Sequence, residues 1–173
     1  MNNLHRILKK KAERKIRRND NVKFMGSVSP PKPKLLARPD LVKRNDEVCS
    51  KYIVARDKLK WEGYCPFGVS GFVLSCKRER RLIQCWFHFI KRSRSERLRW
   101  DYARNIVGSC FPCNGYMENN EAPFWAWYVR EHGSKKMMSL VNDSHGSSGF
   151  GRIELDLIYD DIKKQMAILS GTI

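Results

Sequence analysis

Three residues between positions 88 and 114 have side chains of the types that can hydrolyse a phosphodiester. His88 is followed 17 residues later by Asn105, and Asn114 comes nine residues after that. Near pH 7 a neutral imidazole can take a proton from water, so His88 is the predicted general base. Amide and carboxylate oxygens suit a hard cation that stabilises the charged phosphate during attack. We therefore predict that Asn114, with Glu118 one helical turn further on, binds a catalytic Mg²⁺ or Mn²⁺, and that Asn105 constrains the loop presenting His88.

Each of these residues also has an ordinary structural explanation. His88 lies in the apolar run QCWFHFI, where a single histidine commonly belongs to the core. Asn105 could turn the loop WDYARN, and Asn114 could cap the helix that follows it. Strand alternation, however, places His88 on the face opposite Phe87 and Phe89, and a basic run follows at once. The run is predicted to bind phosphates and comprises Lys91, Arg92, Arg94, Arg97 and Arg99.

The six cysteines predict a structural zinc site. Cys110 and Cys113 have the spacing that lets two thiolates bind one Zn²⁺, with metal–sulfur distances near ~2.3 Å. Ten residues separate Cys65 from Cys76, and a loop returning through a strand would let both thiolates converge. The predicted ligands are Cys65, Cys76, Cys110 and Cys113. Cys85 competes with Cys65 for a place in this set, ordinary core cysteines are the alternative, and Cys49 is predicted to be a buried free thiol.

The charge of the chain favours a polyanionic partner. Lys and Arg number 34 against 18 Asp and Glu, a formal net charge of +16. Residues 1–45 hold 14 Lys/Arg and three Asp/Glu, net +11, and are predicted to form a flexible, basic arm that binds nucleic acid. The predicted contacts in the arm are Lys9, Lys10, Lys11, Arg14, Arg17 and Arg18. No long apolar run or apolar signal sequence is present, so we expect a cytoplasmic protein without a membrane partner.

The predicted elements place these groups in an α+β core domain over residues 46–140. A helix is predicted over 46–61, with its apolar residues on one face. The predicted strands cover 72–76, 81–90 and 105–110, where aromatic and branched residues are frequent. The charged segment 91–101 is predicted to be the loop between the last two strands.

The last part of the chain is predicted to be helical. A helix over 115–132 should break near Ala122 because of Pro123 and end at Gly133. Its aromatic residues are predicted to fill the core rather than to stack on bases. Residues 141–173 are predicted to form a loop and an amphipathic helix that docks on the core.

Together these residues resemble a known family. The order of YIVARD (52–57), the aromatic-flanked His88, LRWDYARN (98–105), Cys110-x2-Cys113-Asn114 and Asn120 is similar to that of the NinG/Rap recombination proteins of lambdoid phages. The similarity covers about residues 46–140, and through this family it extends to HNH and endonuclease VII-type ββα-metal nucleases. The resemblance implies a small zinc-stabilised, HNH-like core with flanking helices and a basic N-terminal arm. It also implies action on branched DNA, such as Holliday junctions, in the cytoplasm of a phage-infected bacterium.

Three positions depart from the family pattern. His88 matches the motif histidine and Asn105 the central asparagine. Val73 stands where the first knuckle normally has its first cysteine, so that cysteine must reach in from an enlarged loop. Position 87 is Phe87, whereas many of these nucleases have an acidic metal ligand or a small residue there. The third motif position is Asn114 rather than histidine, which should weaken metal binding.

Two classes of function follow. The first is a metal-dependent DNA endonuclease that hydrolyses phosphodiesters in branched recombination intermediates. The second is a zinc-stabilised DNA- or RNA-binding protein that keeps the fold without the chemistry. Phe87 and Asn114 favour the second class, whereas the presence of His88, Asn105 and Asn114 together favours the first, which we adopt. A nuclease that cuts two opposed strands of a junction would act as a homodimer, although the sequence shows no dimer interface.

Overall fold

The computed structural model describes residues 35–117, 119–146 and 149–171. The predicted contacts in the N-terminal arm and the predicted ligand Glu118 therefore lie outside the described residues. Within them the fold is mostly helical, with one two-stranded sheet, which confirms an α+β class.

Helix α1, Arg38–Lys60, is the longest element and confirms the helix predicted over 46–61. It begins eight residues earlier than predicted, with Pro39 in its first turn, where a missing N–H costs nothing. Contacts with the rest of the fold stabilise these additional residues of the helix. Leu41 and Asn45 are buried, and Asn45 Nδ2 donates to the carbonyl of Leu155 at 2.8 Å.

The sheet is an antiparallel hairpin of β1, Cys85–His88, and β2, Ile106–Ser109. Cys85 pairs with Ser109 and His88 with Ile106, so the basic loop joins the strands at the His88 end. Both strands lie inside the predicted strands 81–90 and 105–110 but are shorter.

The strand predicted over 72–76 is wrong. The chain instead forms two short helices, α2, Pro66–Val69, and α3, Leu74–Glu79. The backbone N–H of Val73 donates to the carbonyl of Phe67, so the chain folds back on itself between the helices. This reversal brings Cys76 close to Cys65, and a straight strand would carry it away.

The predicted break near Ala122 is confirmed, and it separates two helices. Helix α4, Phe111–Met117, begins four residues before the predicted start, and α5, Ala122–His132, has Pro123 in its first turn. Gly133 ends α5 at φ 84°, a left-handed conformation that glycine adopts without cost. A further helix, α6, Ser134–Asp143, was not predicted.

Helix α7, Arg152–Leu169, confirms the predicted C-terminal amphipathic helix and docks on α1. The contact buries Leu155, Ile158 and Ile162 in a cluster with Ile53 and Trp100. None of the helices in the described ranges is both long and apolar enough to cross a membrane.

A second core cluster lies on the other face of the hairpin. Phe87 and Phe89 pack there against Phe67, Phe124 and Trp127, with ring centroids of Phe67 and Phe124 4.7 Å apart. Phe124 and Trp127 are 0% and 1% exposed, so the prediction that α5 aromatics fill the core is confirmed.

Helix α1 is tied to β2 by hydrogen bonds from a half-buried ion pair within the helix. Asp57, 1% exposed, accepts the backbone N–H of Gly108 at 2.6 Å and pairs with Arg56. Arg56 also donates to the backbone carbonyls of Tyr102 and Ile106. A Cβ at Gly108 would lie 3.0 Å from the Cβ of Asp57, so glycine permits this close approach.

Candidate metal centre and hairpin site

The four predicted zinc ligands form one buried cluster. The Sγ atoms of Cys65, Cys76, Cys110 and Cys113 all lie within 4.8 Å of one another, and each residue is at most 1% exposed. A tetrahedral Zn²⁺ with bonds of about 2.3 Å separates its sulfur ligands by about 3.8 Å. The Sγ atoms of Cys76 and Cys110 are 3.7 Å apart, which fits such an ion. The cluster can therefore hold a structural zinc.

Two segments of chain supply the ligands. Cys65 precedes α2 and Cys76 lies in α3, whereas Cys110 and Cys113 flank the start of α4 directly after β2. The cluster thus joins the two short helices to the turn between β2 and α4.

Gly68 is required for the approach of Cys76. A Cβ built at Gly68 would lie 2.6 Å from the Sγ of Cys76 and 3.0 Å from its backbone carbonyl. Gly68 comes three residues after Cys65, where a Cys-x2-Cys knuckle has its second cysteine. The thiol of Cys76 therefore occupies the space of a side chain at position 68. The sequence indicated an enlarged loop after Cys65. It did not indicate that Cys76 supplies the ligand that position 68 lacks.

The thiols of the cluster have opposite pKa shifts because they share protons. Hydrogen bonds with Cys113 and then Cys65 lower the pKa of Cys110 to about 2. Burial raises the pKa of Cys76 to about 12, and the hydrogen bond with Cys110 raises the pKa of Cys113. One thiolate stabilised by neighbouring thiols is ready to bind a metal, and ligation by all four would release the other protons.

The remaining two cysteines lie outside the cluster. The Sγ of Cys85 is 3.4 Å from the carbonyl oxygen of Ser109, so Cys85 does not replace Cys65. Cys49 is 0% exposed, and burial raises its pKa to about 12. The predicted buried free thiol at Cys49 is confirmed.

His88 ends β1 with one ring nitrogen engaged. Its Nε2 is 3.0 Å from the carbonyl oxygen of Arg99, and only a protonated nitrogen can donate to that acceptor. Within the described ranges Nδ1 has no hydrogen-bond partner, so its lone pair is left to accept a proton. Burial is the main cause that lowers the pKa of His88 from 6.5 to about 4; the hydrogen bond to the Arg99 carbonyl opposes this shift, and the charge of Arg92 adds to it. The ring is therefore neutral near pH 7.

Asn105 constrains the basic loop through its side-chain amide. The side chain is 0% exposed, and its Oδ1 accepts the backbone N–H of Ile90 at 2.7 Å. Its Nδ2 donates to the carbonyls of Ile90 and Leu98, both at 3.0 Å. These bonds fix both ends of the loop that carries Arg99, the hydrogen-bond partner of His88. The predicted bracing of this loop is confirmed, whereas a catalytic role for Asn105 stays a prediction.

Asn114 lies on the exposed surface of α4. The alternative that it caps the helix is wrong, because α4 begins at Phe111 and Asn114 is its fourth residue. Within the described residues the cysteine cluster is the one group of three or more metal-ligating His, Cys, Asp or Glu residues. Phe87, 1% exposed, is buried in the aromatic core and supplies no ligand atom. Of the two predicted ligands of a catalytic Mg²⁺ or Mn²⁺, Asn114 is the one within the described residues.

Asp46 is a residue of this region that the sequence did not indicate. Its carboxylate accepts from Arg99 Nε at 2.9 Å, from Trp100 Nε1 at 3.0 Å and from Arg92 at 3.3 Å. Two of the predicted phosphate-binding arginines are therefore partly neutralised and help to shape the loop. Lys91 and Arg94 remain exposed.

Comparisons with known proteins find no match: no family model, no curated protein and no solved structure is similar to the chain. The resemblance to phage recombination proteins therefore stays a prediction.

Proposed function

We propose that the protein is a divalent-metal-dependent DNA endonuclease of the HNH type that acts on branched recombination intermediates. The observation that supports it most is the environment of His88. Its Nε2 is held by the carbonyl of Arg99, on a loop that the buried Asn105 braces. A neutral imidazole with a fixed tautomer is what a general base for water requires.

The order of elements supports the same proposal. Strands β1 and β2 are followed directly by α4, and the cysteine cluster lies at the turn between β2 and α4. His88 and Asn114 therefore follow in the order, strand and then helix, that the resemblance implies. Helix α4 packs through Cys113 and Met117 on the Phe87 face of the hairpin, whereas His88 faces the other side with Trp86. A structural zinc would hold this turn in place.

In the proposed reaction, Nδ1 of His88 takes a proton from a water molecule that attacks the phosphorus. The P–O bond to the leaving oxygen breaks, and that oxygen takes a proton from solvent water, which gives a phosphate monoester and a free hydroxyl. The Asn114 carbonyl oxygen would hold Mg²⁺ or Mn²⁺, an ion that neutralises charge on the phosphate when bound. Since Mg²⁺ is often bound by one or two protein oxygens together with phosphate and water, a single amide ligand is compatible with a substrate-completed site.

The second candidate function is a zinc-stabilised DNA- or RNA-binding protein without catalysis. Phe87 favours it, because its ring stacks on Phe124 with centroids 5.3 Å apart in the closed aromatic core. A carboxylate ligand is therefore missing from the strand position next to His88, whereas the basic loop remains.

A cleavage assay distinguishes the two candidates. A labelled four-way junction and its linear duplex control are incubated with Mg²⁺ or Mn²⁺ and with wild type, His88→Ala or the matched control His145→Ala, whose imidazole lies on an exposed turn. We expect metal-dependent cutting of the junction that His88→Ala lowers at least about 100-fold while binding is retained. Cutting of both substrates alike would remove the junction preference. Tight binding without cutting under either ion would establish the second candidate instead.

A further inference from the structure

Two cavities border helix α3 on the surface of the cysteine module, a name we use for α2, α3 and α4. The first has a volume of about 390 Å³, and its basic lining consists of Lys60, Lys77, Arg80 and Arg81. The second measures about 520 Å³ and includes the apolar residues Phe72, Leu74 and Tyr116. Arg81 lines both cavities, so they are neighbours.

The basic cavity has cations that no acid neutralises. Within the described part of the chain, Lys60, Lys77 and Arg80 form no ion pair, whereas Arg81 pairs with Glu79 at 2.6 Å. One acid, Glu62, lines the cavity. The guanidinium carbon of Arg80 lies 4.7 Å from the centre of the Tyr64 ring, which holds this cation at the rim.

The backbone of the same cavity is strained. Arg80 and Glu62, with φ of 47° and 53°, are the two non-glycine residues with positive φ among the described residues, and both line it. A side chain makes the left-handed conformation unfavourable, and such strain is concentrated at binding sites. Glycine would relieve it but would remove the charged side chains from the cavity.

The apolar cavity lies beside exposed aromatic rings. Phe111 and Tyr116, 61% and 48% exposed, are the two aromatic residues among the strongly exposed apolar side chains of the described ranges, and both belong to α4. The ring of Tyr116 lies against that of Phe124, at 6.2 Å between centroids. It is therefore anchored on the core and still open to a flat ligand. A nucleobase is such a ligand, because any base offers a π-face for stacking.

We propose that the two cavities bind one unpaired segment of a nucleic-acid strand. A base stacks on Tyr116 in the apolar cavity, and the adjoining phosphates contact Lys77 and Arg80 in the basic one. This inference rests on the proposed function for the identity of the partner, and it deepens that function. Branched DNA that carries a single-stranded segment, such as a flap or a fork, offers unpaired bases, whereas a continuous duplex offers none, so this surface would supply a preference for such branches.

The stacking part is tested by fluorescence anisotropy with the full-length protein and no divalent ion. The probes are a labelled single strand of about 20 nucleotides and the duplex of the same sequence. Tyr116→Ala should raise Kd for the single strand about tenfold and for the duplex less than twofold. Tyr116→Phe, which keeps the ring, and Met138→Ala, which removes an exposed apolar side chain from α6, should leave both values unchanged. An equal loss on both probes, or no loss, would overturn the proposal.

The phosphate part is tested with a second, charge-only variant. Lys77→Ala/Arg80→Ala should lower the slope of log K against log salt for the single strand by about 1.4, since each phosphate contact contributes about 0.7. The matched control Lys135→Ala/Lys136→Ala removes two exposed lysines from α6 and should leave the slope unchanged. The same slope for wild type and Lys77→Ala/Arg80→Ala would exclude this surface. Because no step here needs cleavage, an inactive protein would refute the nuclease and leave this binding result standing.

Discussion

At the scale of single residues, His88 combines a fixed tautomer with a lowered pKa. The carbonyl of Arg99 holds the proton on Nε2, and burial lowers the pKa of the ring to about 4. The ring is therefore neutral near pH 7, and its low pKa makes it a weaker base than an ordinary histidine.

His88 should make the stability of the fold depend on pH between about 6.5 and 4. Its folded-state pKa of about 4 lies below the ordinary 6.5, so the unfolded chain binds this proton first as the pH falls. The stabilisation is complete above pH 6.5, decreases as the pH falls to about 4, and amounts to about 3 kcal/mol at most. Urea unfolding of wild type and His88→Gln at several pH values measures it. An identical pH dependence in both proteins would contradict the prediction.

Asn105 should be a strong determinant of stability. Asn105→Ala leaves a buried N–H of Ile90 and two buried carbonyls unpaired, with an expected loss of about 3 kcal/mol. Asn105→Asp keeps an acceptor for Ile90 but places a carboxylate against the same carbonyls, so we expect a similar or larger loss. Denaturant unfolding gives both values. Asn114→Ala, at an exposed position of α4, is the control, and an equally small effect of all three changes would refute the bracing role.

At the scale of elements, the cysteine module departs from a Cys-x2-Cys knuckle in one defined way. Gly68 stands where the second cysteine is expected, and the Sγ of Cys76 lies 2.6 Å from where its Cβ would be. Helix α3 thus supplies, from eight residues further along, the ligand that the turn after Cys65 lacks.

A ligand swap tests this interpretation. Cys76→Ala alone should lose zinc. Gly68→Cys/Cys76→Ala should regain one zinc per chain, because removing the Cys76 thiol frees the space for a thiol at position 68 and the backbone carbonyl of residue 76, 3.0 Å from the new Cβ, has to move by only a few tenths of an ångström. Gly68→Ala, with Cys76 retained, should lower zinc affinity because its Cβ collides with that thiol. Zinc content is measured by mass spectrometry under native conditions. If the double variant binds no zinc and Gly68→Ala binds zinc as tightly as wild type, Cys76 does not replace a ligand at position 68.

The elements that sequence predicts well here are those with a local physical signal. Thiolate spacing indicated Cys110 and Cys113, apolar periodicity indicated α1 and α7, and Pro123 indicated the break before α5. The strand predicted over 72–76 was wrong because a short apolar run fits a helix or a strand equally, and the closure of the cysteine cluster decided between them. Asp46 was missed because its partner Arg99 lies 53 residues away and no local pattern links them.

At the scale of the whole molecule, more than half of the net positive charge lies in residues 1–34, ahead of the described part of the chain. Residues 1–34 hold eleven Lys/Arg and two Asp/Glu, net +9, of the chain's +16. Deleting them spares Leu41 and Asn45, which α1 buries. The truncated protein should therefore fold and should show a weaker dependence of log K on log salt for duplex DNA. A salt dependence equal to that of the full chain would exclude the arm as a source of DNA affinity.

The central claim is that a zinc ion bound by the four cysteines stabilises the turn between β2 and α4. Native mass spectrometry of the purified protein tests this claim most directly, with Cys113→Ser as the variant and Cys49→Ser, a buried cysteine outside the cluster, as the control. We predict one zinc per chain in wild type and Cys49→Ser, and its loss or marked weakening in Cys113→Ser together with loss of thermal stability. A folded wild-type protein that binds no zinc when the metal is supplied would contradict the account.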